Sequence, residues 1–167
     1  MTPIETERLL LRKIKVADAP FFYELFNSEG WLKYIGDRNI RVVADAEKQI
    51  VEKYIPSYKN NGYGSYLVIE KASGCPVGTC GMYKRPNLDH PDIGFAFLPA
   101  YYKKGYGYES AAAILSKTTK ELKLKKVVAF TLPENTASIK LLEKLGLTNV
   151  GVYQYQDDPE ELLLFST

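Results

Sequence analysis

Residues 101–110 read Tyr101-Tyr102-Lys103-Lys104-Gly105-Tyr106-Gly107-Tyr108-Glu109-Ser110. Two glycines stand one residue apart, two lysines precede them, and an alanine-rich, helix-like run follows. Glycine lets a backbone take positive φ or approach a neighbour closely. A helix that starts just after such a turn offers unpaired N–H groups and the positive end of its dipole. Together these suit an anion, most often a phosphate. The stretch before the turn, Asp92 to Leu98, alternates, with Ile93, Phe95 and Phe97 on one face, as a strand does.

Downstream, the helix is expected from about Gly107 to Leu122, with Lys120, Lys123, Lys125 and Lys126 at its negative end. Val127 to Thr131 reads as a buried strand. Asn135 caps the next helix, which runs to Lys144, and Gly146 with Leu147 completes a Schellman stop. Val150 to Tyr155 and Glu161 to Phe165 close the chain as strands. Upstream, Arg8 to Ile14 is a first strand. Asp18 caps a helix with the stripe Phe21, Phe22, Leu25 and Phe26, ended by Asn27-Ser28-Glu29-Gly30. Residues 31–44 are expected to be irregular. Asp45 caps a second helix with Ala46, Ile50, Val51, Tyr54 and Ile55 on one face. Gly64 to Glu70 and Pro76 to Tyr83 form a hairpin across Lys71-Ala72-Ser73-Gly74, and Pro86 to Pro91 is a polar loop. The order is β-α-α-β-β-β-α-β-α-β-β, one α/β domain over residues 1–167.

Composition narrows the function classes. The 167 residues suffice for one domain with a full core. With 22 basic and 20 acidic residues, a net charge of +2 is too balanced to argue for nucleic acid or a membrane surface. No window approaches the roughly 18 apolar residues of a membrane span. The start MTPIETERLLLRK shows no signal-peptide pattern, so a cytoplasmic protein is expected. Cys75 and Cys80 flank P-V-G-T, which matches no zinc spacing, and His90 stands alone, so no metal is expected. The two cysteines read as small buried thiols in a strand pair.

Three phosphate sites can be weighed. A Walker A loop needs Lys and Ser or Thr after its glycines, and here Tyr108-Glu109 follow Gly107. A Rossmann fingerprint needs a third glycine, and Ser110 stands there. The pyrophosphate of coenzyme A, held between strand and helix, is the third. At this point the chain resembles the GCN5-related N-acetyltransferase (GNAT) superfamily, most of all its ribosomal-protein N-terminal acetyltransferase subgroup. Thr6-Glu7-Arg8-Leu9-Leu10-Leu11-Arg12 with Asp18-Ala19 resembles that subgroup's opening strand and first helix. Ile93-Gly94-Phe95-Ala96-Phe97 through Tyr101-Tyr102-Lys103-Lys104-Gly105-Tyr106-Gly107 resembles its cofactor motif. Asn135-Thr136-Ala137-Ser138 through Glu143-Lys144-Leu145-Gly146-Leu147 resembles its following helix. The resemblance covers nearly the whole chain and implies a central mixed, mostly antiparallel sheet flanked by helices. Tyr102 departs from the usual Gln or Arg before the glycines, and Leu142 stands where many relatives carry a tyrosine proton donor.

The resemblance implies direct transfer of acetyl from acetyl-CoA to a primary amine. N–H groups around Lys103, Lys104, Gly105, Tyr106, Gly107 and Tyr108 would hold the phosphates. Phe95, Phe97 and Leu98 offer strand backbone to the pantetheine arm, which the resemblance inserts into a splay beside this strand. A backbone N–H there can donate to the tetrahedral oxyanion, worth about 2.7–4 kcal/mol in such sites. Asp92 is the first candidate for general base, against a solvated strand end; the turn with Asp157, Asp158, Glu160 and Glu161 is the second, against a charged turn. His90 has a suitable pKa range, but its loop reads as exposed. Ser138 is the candidate donor to the thiolate or the pantetheine arm, against a plain polar residue in the helix's first turn, and Asn135 doubles as helix cap and pantetheine partner. Trp31, Tyr34 and Tyr63 fall where the family builds its acceptor groove, or pack as core. The expected acceptor is a protein N-terminus, with a polyamine or aminoglycoside next, and a homodimer is left open. A non-catalytic acyl-CoA sensor is the rival reading, and a nucleotide-binding regulator a weaker one. Acceptor choice is expected to lie in residues 28–44 and 84–91.

Overall fold

In the computed structural model, which describes residues 1–154 and 160–167, the chain opens with the strand pair β1 (Ile4–Glu5) and β2 (Leu9–Lys13). β1, too short to register as a sequence pattern, pairs through Ile4↔Leu11. Helix α1 (Ala19–Phe26) follows, and its stripe Phe22, Leu25 and Phe26 is buried. Asp18 makes no side-chain cap. Its carboxylate instead accepts both Arg12 Nη1 and Nη2, at 2.8 and 2.7 Å, and the Lys15 amide at 2.8 Å.

Part of the segment expected to be irregular is helical: α2 spans Glu29–Tyr34. Ser28 is extended, Glu29 favours the helix start, and Gly30, read as a stop, sits in the first turn. A Cβ on Gly30 would meet the Tyr102 hydroxyl, so the small residue is there for packing. α3 (Val43–Gln49) begins two residues before Asp45. The Asp45 carboxylate reaches back to the Arg41 and Val42 amides at 2.8 and 3.0 Å. A π-helical turn, Ile50–Tyr54, joins α3 to α4 (Ile55–Asn60), where Pro56 has no N–H to give the ladder. The wider turn explains why Ala46, Ile50 and Tyr54 are buried at a spacing of four while Val51 and Ile55 are exposed, against expectation.

The middle of the chain builds the sheet: β3 (Ser65–Glu70), β4 (Pro76–Tyr83) and β5 (Asp92–Phe97). β3 and β4 are buried on both faces for most of their length. Cys80 is buried in β4, and desolvation pushes its thiol up to about 12. Cys75 is exposed in the turn before β4, which corrects the expectation of two buried thiols. Then come α5 (Tyr106–Leu122), β6 (Val128–Thr131), α6 (Thr136–Lys144), β7 (Thr148–Gln154) and β8 (Glu161–Ser166). Gly146 takes φ 88, Gly146 N–H donates to Glu143 O and Leu147 N–H to Leu142 O, so the Schellman stop is present.

Among the described residues, the strands form one sheet in the order β1-β2-β3-β4-β5-β6-β8-β7. Every neighbouring pair is antiparallel except β5 and β6. Strand alternation divides the core between two faces. On one face, Leu9, Leu11, Val68, Met82 and Ile93 pack against Tyr106, Ala111 and Ile114 of α5 and Leu142 of α6. On the other, Ile14 and Leu67 pack against Phe22, Phe26, Trp31, Ile50 and Tyr54. No helix is long and apolar enough to cross a membrane among the described residues.

Candidate functional site

The site grows from one break in the sheet. β5 and β6 are paired only at Asp92↔Val128, supported by the Val128 amide on Pro91 O at 3.1 Å. Beyond that point no ladder joins them, so one edge of β5 from Ile93 to Phe97 faces an opening. At about 3.3 Å per residue the opening runs roughly 16 Å along β5. The glycine turn lies at its far end. There Lys103 takes φ 61 and Gly105 φ 81, and α5 starts at the next residue. Among the described residues, the amides of Lys103 to Tyr108 donate to no backbone or side-chain acceptor. Six unpaired amides at the positive end of a 17-residue helix are a place for an anion.

Why the turn holds this shape was not legible. Glu109, in the first turn of α5, accepts from Thr6 Oγ1 at 2.6 Å, the Arg8 amide at 2.9 Å and Arg8 Nε at 2.8 Å. Arg8 also donates through Nη1 to Lys104 O at 3.0 Å, and its guanidinium lies 4.8 Å over the Tyr106 ring. The Tyr106 hydroxyl donates to Glu70. The Thr6-Glu7-Arg8 segment therefore clamps the turn from outside. Arg8 also balances a carboxylate that would otherwise repel an anion at the helix start. The sequence offered Glu109 as a favourable first-turn acid, but nothing in it ties Glu109 to Arg8.

Burial pushes Glu109 up, but the bonds from Thr6 and Arg8 outweigh it and hold the carboxyl below its ordinary range. The stability it contributes is present above its unfolded value, about 4.3, and is lost as pH falls through the lower folded value. The melting temperature of the wild type should exceed that of Glu109→Gln at neutral pH, and the gap should close in acid. A gap that stays constant from neutral to acid pH would refute the clamp.

At the closed end of the opening, Asp92 is 2% exposed. It is not a solvated strand end. Its Oδ1 accepts Arg85 Nε at 3.1 Å. The Arg85 guanidinium lies between two rings, 5.2 Å from Tyr83 and 5.1 Å from Phe130. Burial raises the Asp92 carboxyl, and Arg85 offsets only part of that. A buried carboxyl of raised pKa beside an opening in the sheet is a candidate for a functional acid or base. Tyr63 is half-buried and feels the Asp92 charge. His90, Glu160 and Glu161 are exposed, while Asp157 and Asp158 lie outside the described residues.

The other expected residues divide. Phe95 and Phe97 are half-buried against the α5 core, and Leu98 is buried on the opposite face. Lys103 and Tyr108 are exposed beside the turn. Lys104 lies 4.7 Å over the Tyr101 ring. The Tyr106 side chain is buried, leaving its amide for a ligand. A Cβ on Gly107 would lie 2.6 Å from Leu141 Cδ1 and 3.7 Å from Phe97 Cε2, so Gly107 also serves close packing of α5 on α6. Asn135 caps α6 by accepting the Ser138 amide at 3.1 Å. The Ser138 hydroxyl makes no hydrogen bond among the described residues. Leu142 is 1% exposed, a core residue. Trp31 is buried against Phe26, their centroids 4.7 Å apart, so most of its ring is core rather than groove wall. Tyr34 is half-buried with Lys33 over its ring.

Asn135→Ala is expected to cost about 0.5–2 kcal/mol of stability through loss of the cap. If Asn135 also holds the cofactor arm, the KM for acetyl-CoA rises as well; melting and initial-rate measurements on one preparation separate the two.

Comparison with known proteins gives a consistent outcome. A sequence profile described as an acetyltransferase (GNAT) domain matches residues 8–148. The uncharacterised N-acetyltransferase YnaD of Bacillus subtilis is 30% identical, the match covering 90% of this chain and 85% of that one. A GNAT-family acetyltransferase from Bacillus anthracis superposes with a TM-score of 0.80 at 28% identity, over 99% of this chain and 98% of that one. RimL, a ribosomal L7/L12 alpha-N-protein acetyltransferase solved in complex with coenzyme A, superposes with a TM-score of 0.84 at 16% identity, over 99% and 97% of the two chains. At that identity the likeness to RimL is one of fold.

Proposed function

The chain belongs to the GNAT acetyltransferase family, whose acyl donor is acetyl-CoA, and from that premise we propose that it transfers acetyl directly to a primary amine of a polypeptide N-terminus. The observation that carries the reading is the pairing of two features. Six unpaired amides stand at the start of α5, and an opening in the sheet leads from them to a buried carboxyl. The residues present fit the donor. The amides of Lys103 to Tyr108 meet the charge of a pyrophosphate, and the free edge of β5 offers hydrogen bonds to an amide-bearing arm.

The protein's own groups account for the chemistry. An alkyl ammonium cannot attack a carbonyl, so its proton must leave first. Asp92 takes that proton, directly or through a water, and Arg85 holds the carboxyl in one orientation. A β5 amide donates to the oxygen on which negative charge develops. The Ser138 hydroxyl, uncommitted in the fold, donates to the leaving thiolate. Burial at the closed end of the opening keeps bulk water from this exchange.

The deciding experiment follows free thiol released from acetyl-CoA across a panel of amines: short peptides, a polyamine and an aminoglycoside. Amine-dependent release with an acetylated peptide product by mass spectrometry supports the proposal. Tight CoA binding by calorimetry with no release for any amine overturns it in favour of a non-catalytic sensor, a role compatible with Leu142 in place of a tyrosine donor.

A further inference from the structure

Arg38 is a cation whose counter-charge is missing. It lies in the loop between α2 and α3, half-buried, with its guanidinium 5.1 Å over the Trp31 ring and 6.0 Å from that of Phe26. Among the described residues it makes no ion pair and no hydrogen bond. The neighbouring carboxylates are committed elsewhere. Asp37 takes Arg41 in a two-pronged pair, at 3.1 and 2.6 Å, and also accepts the Asn39 amide at 2.7 Å. Asp45 accepts the Arg41 and Val42 amides. Asn27 Nδ2 holds the far side of the loop through Ile40 O at 3.1 Å. These bonds fix the backbone around Arg38 and turn its side chain onto an aromatic floor.

A second donor in the same cluster also lacks an acceptor. Trp31 Nε1, in the indole ring beneath that guanidinium, is buried without a partner. The half-buried guanidinium, a charged donor without an acceptor on the described protein, marks a place for an oxygen-bearing anion. The place lies on the acceptor side of the proposed reaction. α2 packs on β5, on the face opposite α5, and the Trp31 cluster includes Ala96 of that strand and Leu98 just after it. The charges of Arg38 and Arg85 both bear on Tyr54, and Arg85 holds Asp92. Glu29 of α2 bears on Tyr102 instead.

We propose that Arg38 is the specificity residue of the acceptor groove and that it selects amines carrying a carboxylate near the amino group. The proposal rests on the transferase reading above. A guanidinium preset on two aromatic rings loses little freedom on binding a carboxylate in its planar fork. A neutral isostere leaves the guanidinium with nothing to offset its partial desolvation. Polyamines are disfavoured by repulsion.

The test is steady-state kinetics on charge-paired acceptors: a tripeptide with glutamates after its first residue against the same peptide with glutamines, β-alanine against its amide, and spermidine. The wild type is expected to favour the carboxylate member by about 10- to 100-fold in kcat/KM, the range of a charged hydrogen bond. Whether the preference resides in the peptide pair or the small pair identifies the source of the anion. Arg38→Gln should collapse the ratio towards one, and Arg38→Lys should restore part of it; melting temperatures show that both remain folded. No preference in the wild type, a preference for spermidine, or an undiminished ratio in Arg38→Gln each overturns the proposal. Those outcomes all require turnover, so they are distinct from failure of the transferase reading, in which no amine is acetylated.

Discussion

Asp92→Asn is expected to lower turnover about 10²- to 10⁴-fold at neutral pH, the usual cost of losing a general base. The expectation rests on where the carboxyl stands. Among the described residues it is the one β5 residue paired with β6, so it stands at the closed end of the opening. At 2% exposure it is too buried to be ordinary strand-end decoration. Burial raises its pKa while Arg85 keeps a cation beside the ionised form. Its proton is thus bound more tightly folded than unfolded. The stability linked to the protonated form is present below the unfolded value, about 3.9, and is lost as pH rises through the folded value. Activity needs the ionised form, so the acid limb of kcat should lie above 3.9 rather than at it. The variant also deprives Arg85 of a carboxylate, and some loss of stability is expected alongside the kinetic one. The two effects separate by pH. A variant that lacks only its base regains turnover as pH rises and free amine accumulates, whereas a merely weakened fold does not. Near-wild-type turnover across the pH range would leave the Asp92–Arg85 pair a structural ion pair.

Much of the fold was legible because its signals are local. Asn135 and Gly146 each act within one helical turn, and both act as the sequence implies. The alternation of β5 and the glycines after it placed the turn and α5 to within a residue. What was not legible depends on partners far away in sequence. Gly30 reads as a helix stop until Tyr102 is seen packed against it, and α2 is missed for that reason. Val51 and Ile55 fit a regular helical stripe, but a π-helical turn before Pro56 rotates them to solvent. In the site the same division holds. The anion turn was visible as two glycines and a helix start. Its clamp joins Arg8 to Glu109 across 101 residues, and no spacing rule reaches that far. The burial of Asp92 follows from the order of strands, which a single sequence does not print. Trp31 reads in the sequence as groove wall or core, and its ring packs edge-on against Phe26, five residues earlier, with centroids 4.7 Å apart.

Gly105→Val should weaken CoA binding by at least about tenfold while the sheet and both cores survive. Gly105 stands at φ 81 immediately before α5. A β-branched residue is a genuine outlier there, and a single left-handed residue costs even an unbranched side chain roughly 1–2 kcal/mol. Lys103, two residues earlier, already carries φ 61, so the turn has little room to absorb a second such residue. The strained backbone should leave the left-handed region, and the amides of Lys103 to Tyr108 would then no longer converge. A Cβ at Gly105 would come within 3.4 Å of Arg8 Nη2, a flexible side-chain end that can yield, so the clamp adds only a minor steric term. Gly107→Val is a weaker test of the same idea. Its Cβ would press on Leu141 Cδ1 at 2.6 Å, and lost affinity there could come from displacement of α6. Pairing Gly107→Ala with Leu141→Ala removes that contact and isolates the turn. Calorimetric titration with CoA reads all of these. Should folded Gly105→Val bind CoA as the wild type does, the turn does not hold the pyrophosphate, and the opening beside β5 would need another anchor for the acyl donor.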